Sequence, residues 1–187
     1  MSKTLRVLLA TAALVFGVVP AAQATLVNAG FGQWYNFSVD DLFGAPPPDV
    51  LQWFDDGTYG GLGSPLSFAF TLTTPGTLRV VDASNAGDQF SVRVNGTAYP
   101  TTVVPAGSTA FEADFDAAFA RPGDFSRLVL ALAPGAYVVT GFLTVPNDPM
   151  LQATNGGLQV TAIPEPATWA VLLGGLLLLG AAARRRA

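Results

Sequence analysis

The segment Asp82-Ala83-Ser84-Asn85-Ala86-Gly87-Asp88 gathers two carboxylates and an amide within seven residues. Oxygen-only side chains at such short spacing are what a hard cation such as calcium takes as ligands. Asp82, Asn85 and Asp88 are therefore candidate calcium ligands, although the segment lacks the alternating ligands and closing glutamate of an EF-hand loop. Asp and Asn also build turns by accepting hydrogen bonds from nearby backbone, and that reading stands beside the metal one. Other carboxylates occur at Asp40-Asp41, Asp55-Asp56 and Glu112/Asp114/Asp116. A convergent pair of such acids is the acid/base machinery of a glycosidase. Neighbouring residues on a strand point to opposite faces, so the two Asp-Asp pairs do not converge by themselves, and solvated loop acids are the competing reading.

The chain has no histidine and no cysteine. Ser-His-Asp and Cys-His catalysis and histidine-based metal sites are thereby excluded. The only lysine is Lys3, in the first few residues, so Ser-Lys and Schiff-base chemistry lack their amine in the body of the chain. A non-enzymatic role is the expectation. Trp34, Tyr35, Trp53, Phe54 and Tyr59 lie near acidic and glycine-rich stretches, where exposed rings can stack on sugars. Trp53, within Gln52-Trp53-Phe54-Asp55-Asp56, is the candidate sugar contact. With 13 phenylalanines in the chain, core packing is the alternative reading for it.

The elements that must position these residues read as strands. Leu66–Leu72 and Gln89–Val94 alternate large apolar with small or polar residues, the period of a half-buried strand. Asn95-Gly96 is a hairpin signal leading to a return strand over Thr97–Tyr99. Trp34–Val39, Thr77–Val81, Arg127–Leu132, Ala136–Val145 and Leu158–Ala162 complete the set. Thr74-Pro75-Gly76 reads as a turn and Ala133-Pro134-Gly135 as a hairpin-like connection. Phe111, Phe115 and Phe119 recur every four residues, which predicts one short helix over Phe111–Ala120. Phe43–Ser64, rich in Gly, Pro and Asp, reads as a long surface loop. Many short strands with frequent turns predict an all-β fold, an antiparallel β-sandwich of jelly-roll-like form.

Both ends of the chain are apolar. Lys3 and Arg6 precede the 13-residue apolar run Val7–Val19, Pro20 breaks it, and Ala22-Gln23-Ala24 has the small-x-small pattern of a signal-peptidase site. Residues 1–24 read as a cleaved signal peptide, with an uncleaved anchor as the alternative. At the other end, Ile163-Pro164-Glu165-Pro166 precedes the 17 uncharged residues Ala167–Ala183 and then Arg184-Arg185-Arg186. As a helix that stretch would reach ~25 Å, near the lower limit for a bilayer span. The three arginines should remain cytoplasmic, with the domain on the far side of the membrane. Between the ends lie the 138 residues 25–162, enough for one domain with its own core. They hold four arginines against twelve carboxylates, a net charge of −8 that disfavours nucleic acid as a partner.

The order acidic motif, apolar helix, basic stop resembles the PEP-CTERM sorting signal of Gram-negative bacteria. The resemblance implies recognition of Pro164, Glu165 and Pro166 by an exosortase, once the chain has been exported and signal peptidase has cut after Ala24. It also implies a transient stay in the inner membrane, with Arg184, Arg185 and Arg186 as stop-transfer residues. The destination it implies is the cell surface or extracellular matrix, often in bacteria that make exopolysaccharide. Ile163 stands where valine is usual. A second resemblance runs from Pro65 to Val145 on Phe68–Leu72, Gly76–Ala83, Gly87–Val92, Asn95-Gly96 and Ala133-Pro134-Gly135-Ala136. These residues are similar to a recurrent extracellular β-domain of such proteins, which implies a fold and little chemistry. The resulting organisation is a signal peptide (1–24), a β-sandwich (25–162) and a sorting segment (163–187). The alternative is a calcium- or carbohydrate-binding module permanently anchored in the inner membrane.

Overall fold

A computed structural model of the chain describes residues 24–40, 51–105, 107–148 and 153–163. The signal segment up to Gln23, the tail from Pro164 onward and Asp41 lie outside the described residues. In chain order the elements are β1 (Thr25–Asn28), β2 (Trp34–Val39), β3 (Leu51–Gln52), β4 (Leu66–Leu72), β5 (Gly76–Asn85), β6 (Gln89–Val94), β7 (Thr97–Pro100), β8 (Phe111–Glu112), α1 (Phe115–Phe119), β9 (Arg127–Leu132), β10 (Gly135–Val145) and β11 (Thr154–Ala162).

The strands form two sheets. One runs β1-β4-β10-β6-β7, with β3 also on β10; the other runs β2-β11-β5, with β8 and β9 both on β5. Every pair is antiparallel except β1 with β4. The fold is an all-β sandwich of mainly antiparallel sheets, as the alternation in the sequence predicts.

Alternation also explains the core. In β4 the buried residues Leu66, Phe68, Phe70 and Leu72 alternate with Ser67, Ala69 and Thr71. β6 contributes Phe90, Val92 and Val94, and β2 contributes Tyr35, Phe37 and Val39. A second, smaller core lies where α1 packs, formed by Val81, Ala86, Ala118, Phe119 and Phe125, with Trp34 and Phe115 partly buried against it. β11 passes between the two with consecutive glycines. A side chain on Gly156 would collide with the Phe37 ring, and one on Gly157 would come 2.7 Å from Phe115. Glycine in a strand marks such close approaches.

Four expectations are corrected. Phe111-Glu112 is not helical: it pairs with Ser84 and Asn85 as β8. Asp114 accepts a hydrogen bond from Ala117 N–H at 2.8 Å and so caps α1, which starts only at Phe115. Ala133-Pro134-Gly135 makes no hairpin, because β9 lies in one sheet and β10 in the other. Phe43–Ser64 is not entirely surface loop, since β3 and the buried residues Trp53, Phe54 and Asp55 fall inside it. Leu158–Ala162 is the end of a longer strand whose first half contains the two glycines.

Candidate functional site

The β5–β6 turn holds the acidic constellation predicted for calcium. Asp82 is fully buried; its Oδ2 accepts from Gly87 N–H at 3.0 Å and from Asp88 N–H at 3.2 Å. Ser84 and Gly87 take left-handed backbone conformations, at φ 64° and 121°, which fold the segment back on the carboxylate. Asp88 is also buried, and its Oδ1 accepts from Asn147 N–H at 2.7 Å. Asn147 carries the connection onward: its Oδ1 accepts from Gly107 N–H at 2.8 Å, and its Nδ2 donates to Ser108 O at 3.2 Å. Two loops distant in sequence are thus tied to one turn.

The structure brings Asp82 and Asp88 together but leaves Asn85 exposed at the end of β5, opposite Phe111. Among the described residues no group of three or more acidic, histidine or cysteine side chains gathers around a common point. The observed work of this site is turn-building. Burial and the nearby Asp88 charge push the Asp82 pKa up to about 9, against the backbone N–H groups of Gly87, Asp88 and Ala83 that favour its charged form. Burial likewise raises Asp88, opposed by hydrogen bonds from Asn147 and Thr154. Among the described residues, Asp82 Oδ1 and Ser126 Oγ, both buried, have no hydrogen-bond partner. Ser126 immediately precedes β9, and the Asp82 backbone N–H donates to its O at 2.9 Å. Ser126 and Asn147 were not among the sequence candidates, because each is brought in by strand pairing or a loop far away in the chain.

The sugar-contact expectation for Trp53 is overturned by burial. Its exposure is 0 %, and its ring stacks on Phe37 with centroids 3.8 Å apart. Phe90 and Phe68 meet it edge-on. The indole lies over Gly141, where any side chain would overlap it, and the Trp53 backbone N–H donates to Gly141 O at 2.9 Å. No face of the ring is left for a ligand.

Asp55 and Asp56 diverge, as adjacent carboxylates should. Asp55 is fully buried and closes its loop by accepting from the N–H groups of Gly57, Tyr59 and Gly61 at 2.9, 3.0 and 2.6 Å. Asp56 is exposed and accepts from Asn36 Nδ2, Ser38 Oγ and Thr58. Burial opposes ionisation of Asp56, but the bonds from Thr58, Ser38 and Asn36 outweigh it and hold the pKa below the usual 3.8. Asp114 and Asp116 serve the first turn of α1. Each of the four arginines in residues 25–162 sits over a phenylalanine ring: Arg79 and Arg127 over Phe119, Arg93 over Phe142 and Arg121 over Phe125.

The last described residue leads straight to the tail. β11 ends at Ala162, and Ile163 is pinned to the preceding sheet crossing, its N–H donating to Pro75 O at 2.8 Å. Among the described residues no helix is long and apolar enough to cross a membrane; Ala167–Ala183 lies outside them. The sequence beyond this point decides the assignment. Residues 162–186 match the PEP-CTERM protein-sorting motif. The motif indicates exosortase-dependent sorting of an exported protein, with an exosortase as processing partner. A solved structure, the pre-peptidase C-terminal domain of a collagenase from Bacillus anthracis, is similar to this chain at 8% identity. That match covers 75% of this chain and 99% of the other, with a TM-score of 0.39. Among curated proteins none matches the sequence.

Proposed function

We propose that the chain is the precursor of a non-enzymatic component of the cell surface or extracellular matrix, associated with exopolysaccharide. Residues 1–24 export it and are removed by signal peptidase after Ala24. Residues 25–162 are the β-sandwich cargo, and residues 163–187 are the sorting segment. Ala167–Ala183 holds the precursor in the inner membrane, Arg184–Arg186 stop its transfer, and the exosortase acts near Pro164-Glu165-Pro166. The observation that carries this reading is the PEP-CTERM motif at residues 162–186.

The junction supports it. Ile163 is held by the folded domain, and the apolar stretch begins at Ala167. The three residues between them reach at most ~10 Å. Before processing, the sandwich would therefore stand directly on the membrane surface, with its sorting motif confined to the gap. The absence of His and Cys and the commitment of the buried carboxylates to backbone N–H groups support a role without catalysis. The test is co-sedimentation of processed protein with its host's exopolysaccharide, beside hydrolysis assays on the same glycan. Binding without hydrolysis is the expected result; release of sugar fragments would contradict a non-enzymatic role.

A further inference from the structure

β1 begins at Thr25, the residue that cleavage after Ala24 would expose. Thr25 N–H donates to Pro65 O at 2.8 Å, and β1 lies at the edge of its sheet, paired only with β4. Beside Thr25 is the loop closed on Asp55. The contact is made over Gly61: a methyl group there would overlap Thr25 Oγ1 and come 3.1 Å from Asp55 Oδ2. The Thr25 hydroxyl and the Asp55 carboxylate thus lie on the same side of Gly61, and the Thr25 nitrogen is one residue's width from that space. Asp55 is fully buried and bonded to three neutral N–H groups, and among the described residues no arginine pairs with it. A buried carboxylate without a counter-charge is the arrangement that gains most from a cation placed beside it.

We propose that signal-peptidase cleavage completes the fold by creating that cation: the α-ammonium of Thr25 is the partner of the Asp55 carboxylate, and their pairing locks β1 onto β4. The inference rests on the cleavage after Ala24 in the function proposed above. In the precursor the Thr25 nitrogen is a neutral amide. Hydrolysis of the Ala24–Thr25 bond by one water leaves a carboxylate on Ala24 and an amine on Thr25, which takes up a proton at neutral pH. The folded edge then distinguishes a correctly cut chain from one cut a residue away, because a strand residue displaces the charge by ~3.3 Å.

The mature domain contains no lysine, so its α-amine is the only primary amine in residues 25–162. Carbon-13 methylation of processed protein purified from the host, followed by NMR titration, reads that group alone. Its pKa is expected to lie about one unit above the ordinary α-amino value of about 7.7–8.0. Asp55→Asn should return it to the ordinary value. A second variant, with one valine inserted between Ala24 and Thr25, leaves Asp55 and its loop intact. It should also titrate normally and melt at a lower temperature than wild type. An ordinary wild-type amine, or a raised one unmoved by the insertion, overturns the pairing. Intact mass on the same sample separates the two claims. A chain starting elsewhere than Thr25 removes both, whereas a Thr25 start with an ordinary amine removes only this one.

Discussion

Asp82 shows how a residue that looks like a ligand can be committed to the fold. Its Oδ2 holds the turn through two backbone N–H groups, and its pKa stands at about 9 beside the ordinary 3.8. Between these two values the folded chain keeps a proton that the unfolded chain has released. Stability from this group is therefore fully present below 3.8 and is lost as pH rises towards 9. Asp56, with its lowered pKa, acts in the opposite sense and only at the acid end. Melting temperatures between pH 5 and pH 9 should fall for the wild type and fall less for Asp82→Asn. The amide keeps an acceptor for Gly87 and Asp88 and carries no titrating proton. Equal slopes for the two proteins would contradict the assignment. A second residue-scale test is Gly141→Ala, which forces a methyl group into the Trp53 ring. Overpacking of this kind costs about 1–3 kcal/mol, measurable by denaturant titration; an unchanged midpoint would mean that the indole is not seated there.

At the scale of elements, α1 is five residues long and depends on its ends and on packing rather than on propensity. Removing its cap with Asp114→Ala should cost ~1 kcal/mol, read as a lower chemical-denaturation midpoint, while Asp116→Ala should cost less. β4, β6 and the β6–β7 hairpin were legible from alternation and from Asn95-Gly96. Both turn residues take positive φ, 48° and 85°, as that dipeptide is suited to do. The helix stripe was half legible: Phe115 and Phe119 do share the packed face, but Asp114 starts the helix below Phe111. The first half of β11 was hidden because glycine carries no strand signal, and its glycines are there for the rings on either side. Trp53 misled for a related reason. A glycine- and aspartate-rich neighbourhood resembles a loop, and only the gap above Gly141, on a strand nearly ninety residues later, shows the ring's place in the core. The pairing of Asp82 with Asp88 was readable from local spacing, whereas Asn147 entered through tertiary contact alone.

For the whole molecule, function divides between a cargo and its address. The cargo is an acidic sandwich whose arginines lie over aromatic rings. The address is the PEP-CTERM motif, which begins where β11 ends. Sandwich, short junction and tail fit a chain that is folded outside the cytoplasm and then cut free of the membrane. The most direct measurement is the intact mass of the protein recovered from its own host's envelope and medium. A species starting at Thr25 and ending near Pro164–Pro166 is the predicted result. A species that still carries Arg184–Arg186 in both fractions would contradict exosortase processing and leave a permanently anchored domain.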